Sequence, residues 1–312
     1  MSYPRVIFMG TPDFAVPCLD MLVEEGYEVV AAITQPDRPK GRGHKLTPSP
    51  VKARALEYGI DILQPEKIKN PEFVTQLTAL KPDIIIVVAF GQFLPKNILD
   101  LPPLGCINVH ASLLPYYRGA APIHWAIING ETKTGVTTMY MDIGMDTGDM
   151  ILMAETPIDA ADTTGCLHDK LSVLGAKVLK DTVQLILKGN APRIPQPNEE
   201  ATYAPLLTRD LEKINWDCSA DKIHNLVRGL TPWPGSYCKF KDKHLKVWET
   251  KVVNACALGQ PGRINQITQT SIIVETASGL IELLTVQPEN KRRMSARDYA
   301  SGYGLRTGDF FK

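Results

Sequence analysis

An α/β chain, with a doubly wound parallel sheet followed by a small β-barrel, is what this sequence predicts, and three observations carry the prediction. Strand and helix patterns alternate through the first two-thirds, as βαβ units require. One run, "DIIIVVAF" (83–90), is continuously apolar, the mark of a strand covered on both faces. Beyond a polar, Pro-rich stretch, "KGNAPRIPQPNEEATYAP" (188–205), the pattern changes to short strands punctuated by Gly and Pro, which suits a small barrel. The expected division is a catalytic-type domain at 1–188, a linker at 189–207 and a C-terminal domain at 208–312.

The elements follow in order. "RVIFMGT" (5–11) reads as a buried strand, and a helix follows over about 15–25 with Pro17 in its first turn, where a missing N–H is tolerated. "EVVAAIT" (28–34) is the second strand. Ser49 and Pro50 supply an N-cap and a first helical residue, and Gly59 a stop. Another helix pattern lies near 71–80, and "GCINVH" (105–110) is a further strand after the apolar run. "TTMYMDIG" and "DMILMAETPI" are strands joined by a Gly-rich turn, a hairpin for the edge of the sheet. A long amphipathic helix over about 165–188 closes the domain. Past the linker, one helix (about 219–230) precedes strands at 244–252, 262–267, 271–275 and 280–286.

Composition narrows the function classes. The chain has 312 residues, 44% of them hydrophobic and 22% charged, with 34 basic and 34 acidic side chains. The longest apolar run, "IIIVVAF" (84–90), is too short to span a bilayer. "MSYPRVIFMG" runs straight into a strand without a signal-peptide pattern, so the expectation is a cytoplasmic protein, monomeric and away from membranes. Cys18, Cys106, Cys166, Cys218, Cys238 and Cys256 are scattered without a CxxC pair, which argues against a zinc site or disulfide framework. The zero net charge hides an asymmetry: residues 208–312 hold 16 basic and 11 acidic side chains, a balance of +5. A basic C-terminal part points to a polyanion partner.

The chemistry-bearing residues sit at the end of one strand. In "INVHASLLPYYRG" (107–119) an apolar pattern carries Asn108 and His110, followed by a Pro-containing turn and an arginine. Residues two apart on a strand share a face, and ligands bind at the carboxyl ends of strands in open α/β sheets. An amide can donate to a developing oxyanion, and an imidazole can move a proton near neutral pH. Together they suit attack on a carbonyl. No GxSxG nucleophile elbow is present, so direct transfer fits better than an acyl-enzyme. "DIGMDTGD" (142–149) adds Asp142, Asp146 and Asp149 in the expected hairpin turn. Asp146 lies midway between Gly144 and Gly148, in a stretch pliable enough to fold back toward the strand ends and orient His110.

At these residues the chain resembles the methionyl-tRNA formyltransferase family. "GTPDFAVP" (10–17), "QPDRPKGRG" (35–43), "INVHASLLPYYRGAAPI" (107–123), "GMDTGDM" (144–150), "TPWPGSY" (231–237) and "LTVQPENKRRMSARDY" (284–299) stand in that family's order, so the resemblance covers essentially the whole chain. It departs at Asn290, where a glycine is expected. The resemblance implies a Rossmann-like formyltransferase domain and an OB-like C-terminal domain. It implies transfer of a formyl group from 10-formyltetrahydrofolate to the α-amine of initiator methionyl-tRNA, for translation initiation and without a metal. Asn108, His110 and Asp146 are then catalytic.

The same resemblance places Ser112, Leu113, Leu114 and Pro115 in the folate site, with the pterin ring in an apolar crevice near "AFGQFLP" (89–95). It makes the basic, Gly/Pro-rich loop 35–52 an arm for the tRNA acceptor stem, through Arg38, Lys40, Arg42 and Lys45. Lys291, Arg292 and Arg293, with Lys239, Lys241, Lys243 and Lys246, are candidate phosphate contacts in the C-terminal domain. Two other readings use part of this pattern. A formyltransferase acting on a small amine shares the three catalytic residues but leaves the basic loop unexplained. A non-catalytic nucleic-acid-binding protein makes the three polar residues incidental.

Overall fold

The computed structural model describes residues 4–40, 45–253, 255 and 259–312. A seven-stranded sheet is built from the strands Met150–Pro157, Lys133–Tyr140, Cys106–His110, Ile84–Val88, Arg5–Gly10, Glu28–Ile33 and Ile62–Leu63, in that spatial order. The five strands from Cys106–His110 to Ile62–Leu63 run parallel, while Lys133–Tyr140 pairs antiparallel with Cys106–His110. The expected hairpin therefore takes the edge. Ile84–Val88 is buried at all five positions, because a strand in mid-sheet with apolar cover on both faces shows no alternation. Gly10 needs its missing side chain: a Cβ there would stand 2.9 Å from that of Ala15 and 3.0 Å from the Val88 carbonyl oxygen.

Helix ends follow local signals. Ser49 Oγ accepts from the Lys52 N–H at 3.1 Å, Pro50 opens the helix Pro50–Glu57, and Gly59 leaves it with φ +70°. The helix Thr164–Leu187 matches the expected amphipathic stretch. Among the described residues three α-helices have no counterpart in the sequence reading, the single turn Lys96–Leu99, Pro122–Ile128 and Ala296–Tyr303. Ala296–Tyr303 carries a legible start, since Ser295 Oγ accepts from the Asp298 N–H at 3.0 Å, an S-x-x-D capping pattern.

The compact units are not contiguous in sequence. One comprises Met1–Gly119, Thr134–Thr156 and His168–Ala204, and the other Ala120–Lys133, Pro157–Leu167 and Pro205–Lys312. The helix Pro122–Ile128 belongs to the second unit because it packs on Ala220–Gly229. A Cβ on Gly229 would lie 2.5 Å from Ile128 Cγ1, so only glycine permits this approach. Most of the segment expected as a linker belongs to the first unit. Ile194 and Met150 exchange backbone hydrogen bonds of 2.8 and 3.0 Å, and Tyr203–Ala204 pairs with Arg118–Gly119. These partners are distant in sequence, which is why a Pro-rich polar run reads as a connector.

The second unit contains a six-stranded antiparallel sheet: Ser236–Phe240, Lys243–Val253, Leu280–Pro288, Ile272–Glu275 and Ile264–Ile267 in order, with Met294–Ser295 on Leu280–Pro288. Its core joins Cys238, Val247, Ile281 and Leu283 to Ile223 and Val227 of one helix and Tyr299 of another. Among the described residues no helix is long and apolar enough to cross a membrane.

Burial pushes the thiols of Cys18 and Cys106 up to about 12, and that of Cys238 well above its ordinary range, whereas Cys166 is exposed. A raised thiol pKa leaves little thiolate, the reactive form, at pH 8. A maleimide at pH 8 is therefore expected to label Cys166 in the native protein, and Cys18, Cys106 and Cys238 only after denaturation. Peptide mass spectrometry reads this, and native labelling of Cys18 at the rate of Cys166 would contradict it.

Candidate active site

Asn108 and His110 end the strand Cys106–His110 and share a face, 9% and 6% exposed. Asp146 reaches them from the loop between the strands Lys133–Tyr140 and Met150–Pro157. Its Oδ1 accepts from Asn108 Nδ2 at 3.4 Å. Its Oδ2 accepts from the Gly119 N–H at 2.8 Å and stands 3.7 Å from His110 Nδ1. The Tyr117 carbonyl lies 3.0 Å from His110 Nε2. A carbonyl only accepts, so Nε2 carries a proton. At 3.7 Å the Nδ1–carboxylate contact is electrostatic, beyond hydrogen-bond range, and Nδ1 can serve a substrate atom.

Loop chemistry selects Asp146 among the three aspartates. Asp142 Oδ1 accepts from the Gly144 N–H at 3.0 Å and from Thr147 Oγ1 at 2.7 Å, an Asx turn that staples the loop. Asp149 pairs with Arg193 at 3.5 Å. A Cβ on Gly148 would sit 1.8 Å from the Tyr140 carbonyl oxygen, so glycine is obligatory there. Asp146 itself adopts φ +54°, a left-handed conformation that Asp tolerates better than most residues. An amide donor, a tautomer-fixed imidazole and a held carboxylate at a strand's carboxyl end can stabilise charge on a carbonyl oxygen and move a proton beside it.

The turn after this strand is tightly built. Ser112 Oγ donates to the Tyr116 carbonyl at 2.6 Å, and Thr137 Oγ1 accepts from the Leu114 N–H at 3.0 Å while donating to the Ser112 carbonyl at 2.7 Å. Leu114 packs with Met139 and Met150, and Leu113 lies over Gly135, where a Cβ would be 2.5 Å from its Cδ2. Pro115 is buried. In the neighbouring stretch 89–95, Ala89 and Gly91 have φ +47° and +85°. The Phe90 carbonyl accepts from Gln35 Nε2 at 3.1 Å and Thr11 Oγ1 at 3.3 Å.

The basic positions fall in two places. Arg38–Lys40 pairs with Lys45–Thr47 as a short hairpin in which Arg38 is exposed. Arg42 lies outside the described residues, as do the side chains of Lys40 and Lys45. At the base of this loop Lys52 Nζ donates to Asp37 Oδ2 at 2.6 Å and Gln64 Oε1 at 2.7 Å. The bond from Lys52 foremost, and then one from Gln64 Nε2 to Asp37 Oδ1 at 2.8 Å, hold the Asp37 carboxyl below its ordinary range. Lys291, Arg292 and Arg293 are exposed between the strands Leu280–Pro288 and Met294–Ser295. The Arg293 guanidinium lies 3.8 Å over the Trp248 ring and Lys246 Nζ 5.3 Å from it, within cation–π range.

Residues 4–183 match the model of the formyl transferase family, and residues 206–304 that of the formyl transferase C-terminal domain. A methionyl-tRNA formyltransferase of Clostridioides difficile (strain 630) is 52% identical over 304 residues, covering 97% of this chain and 98% of that protein. The chain belongs to the methionyl-tRNA formyltransferase family. A second member, from Bacillus subtilis (strain 168), is 49% identical over 306 residues, with 98% of this chain and 96% of that protein covered. Among solved structures, the sugar 3N-formyl transferase WlaRD, determined in the presence of dTDP and 5-N-formyl-THF, shares the fold. Its TM-score is 0.68 at 20% identity, over 94% of this chain and 100% of that one. HypX from Aquifex aeolicus in complex with tetrahydrofolic acid has a TM-score of 0.64 at 15% identity. There this chain is covered completely and spans 51% of that chain, about half its length.

Two findings bear on how this family member is built. Asn290, the departure noted above, has φ +59°. Asn is enriched in left-handed conformations, so the turn keeps its backbone without glycine. The sequence reading also passed over Gln196. This residue joins Arg118 to the Asp146 loop from within the expected linker, and a lone amide in a Pro-rich run offers no signal of that role.

Proposed function

We propose that this chain transfers the formyl group of 10-formyltetrahydrofolate to the α-amine of methionine carried on initiator tRNA, as an early step of translation. The observation that carries this reading is the Asp146 carboxylate set between Asn108, His110 and the Gly119 N–H, in a chain alike over its full length to methionyl-tRNA formyltransferases. The neutral amine attacks the formyl carbon; the new C–N bond forms and the bond to the folate nitrogen breaks. The second hydrogen of Asn108 Nδ2 and the His110 Nδ1–H donate to the formyl oxygen as charge develops there. Asp146 balances the charge of a protonated His110. Through water, it helps pass the proton lost by the amine to the departing nitrogen.

The turn Ser112, Leu113, Leu114 and Pro115 supports the folate reading through its position directly beyond His110. Leu114 is in the core, so its contribution is to hold the turn. The polar backbone near 89–95 suits the edge of the pterin ring. Arg38, Lys40, Arg42 and Lys45 form the tRNA arm, and Lys291, Arg292 and Arg293 with the basic surplus of 208–312 supply phosphate contacts.

Formylation assays with methionyl initiator tRNA, free methionine and an amino-sugar nucleotide as alternative acceptors test this reading. Product is expected only on the tRNA. Formylation of a small amine at a comparable kcat/KM would replace the reading, and no formylation of any acceptor would remove it. The loop gives a separate test. An isolated two-stranded hairpin is marginal in water, and Leu46 in it is 69% exposed. Trypsin is therefore expected to cut the free protein first between Arg38 and Lys52. Saturating initiator tRNA is expected to slow that cut, as an arm ordered on binding requires. Equal rates with and without tRNA would contradict the arm.

A further inference from the structure

The Asp146 loop is held from behind by a side chain that lies in none of the recognised motifs. Gln196 is 8% exposed and uses both ends of its amide. Its Nε2 donates to the carbonyls of Asp146 and Gly148, each at 2.8 Å. Its Oε1 accepts from Arg118 Nε at 2.9 Å and Nη2 at 2.7 Å. The amide has one possible orientation, because reversing it would face its oxygen toward two carbonyls and its NH2 toward a guanidinium. Arg118 is 2% exposed and donates also to Asn198 Oδ1 at 2.9 Å. Arg118 directly precedes Gly119, whose N–H holds Asp146 Oδ2. One bridge thus fixes both the backbone that carries Asp146 and the backbone that binds its carboxylate.

We propose that Gln196, anchored by Arg118, is a positioning residue that sets the Asp146 carboxylate against His110 and Asn108. The proposal rests on the functional reading above. Two features make such a device necessary. Asp146 adopts φ +54°, a conformation that costs any non-glycine residue free energy and persists where the surroundings hold it. It also lies in a loop with Gly144 and Gly148 on either side, where the unfolded chain has much freedom to lose. A charged donor strengthens the hydrogen bonds on Oε1, and polarisation along the amide strengthens those from Nε2. On the Asp146 loop Gln196 contacts backbone carbonyls and not the carboxylate, so it acts through geometry.

Gln196→Glu separates the two ends of the bridge. It keeps the acceptor for Arg118 and the side-chain length, and removes the donors to the Asp146 and Gly148 carbonyls. A misplacement of about 1 Å can cost about 10² in rate, so kcat is expected to fall about 10–100-fold. KM for both substrates should stay within about twofold; the melting temperature should fall, because two buried carbonyls lose their donors, so activity is read well below it. In an Asp146→Asn background the same change should cost less than about twofold more, since the group it positions is already lost. One readout does not depend on turnover. The His110 ring resonance, assigned by its absence in His110→Ala, should move in Gln196→Glu toward its position in Asp146→Asn.

Wild-type kcat together with an unmoved His110 resonance would overturn the proposal, as would an undiminished effect in the double variant. If Gln196→Glu does not fold, Gln196→Met, which removes donors and acceptor at similar volume, carries the same expectations and the same refutation. If the wild type formylates nothing but Gln196→Glu still moves the His110 resonance, the functional reading falls and the positioning role stands.

Discussion

Asn108→Ala, His110→Ala and Asp146→Ala are each expected to lower the turnover of methionyl-tRNA formylation by two orders of magnitude or more, with the protein still folded. The expectation comes from the contacts of each group. Loss of one preorganised donor to a developing oxyanion costs about 10²–10³ in rate, which sets the scale for Asn108. General acid–base assistance contributes about 10²–10⁴, which sets it for His110. Asp146 touches both, with Oδ1 on Asn108 and Oδ2 beside His110, so its removal should be among the most costly. Effects within such a group do not add. His110→Ala in the Asp146→Ala background should therefore lose much less than the product of the single losses. Single-turnover formylation with saturating substrates reads the chemical step, and circular dichroism checks the fold. Wild-type turnover in all three folded variants would remove these residues from the chemistry.

Replacing Lys291, Arg292 and Arg293 together by Ala should weaken initiator tRNA binding about tenfold or more at low salt and flatten its salt dependence. Each phosphate contact releases counterions, and the logarithm of affinity falls with the logarithm of salt by about 0.7–0.9 per contact. Loss of three contacts reduces the slope by about 2–3. Arg293 lies over Trp248, and a stacked guanidinium keeps its edge N–H donors for a phosphate. KM for the tRNA should rise while turnover at saturating tRNA changes less than about twofold, because the role proposed for these residues is binding rather than chemistry. The folate KM serves as an internal control and should not move. Affinity measured across a salt series decides the matter. An unchanged slope would make the cluster a solvated charged surface.

The chemical residues were legible for different reasons. Asn108 and His110 needed only the period of a strand, which puts residues two apart on one face. The helix start at Ser49–Pro50 and its stop at Gly59 needed only local hydrogen-bond and backbone rules. Asp146, one of three aspartates in a turn, stood out by its place between Gly144 and Gly148, but local sequence could not establish its contact with the strand end. The Asx turn of Asp142, the pairing of Asp149 with Arg193 and the close approach of Gly148 to Tyr140 select it. The helix Pro122–Ile128 escaped because seven residues between a proline and a glycine give too short a periodicity.

By itself the sequence determined the parallel sheet, its edge hairpin, the strand-rich C-terminal part and the strand carrying Asn108 and His110. These rest on periodicity, caps and turns, whose physics is local. Only the tertiary structure decided that Asp146 does meet His110 and Asn108, which segments join which compact unit, and that Gln196 and Arg118 stand behind the site. Arg118 and Gln196 are 78 residues apart, and Gln196 and Asp146 are 50 apart. No local propensity encodes a pairing at that distance. It forms because a buried guanidinium and the buried loop carbonyls each need a hydrogen-bond partner, and the packed fold brings one amide within reach of both.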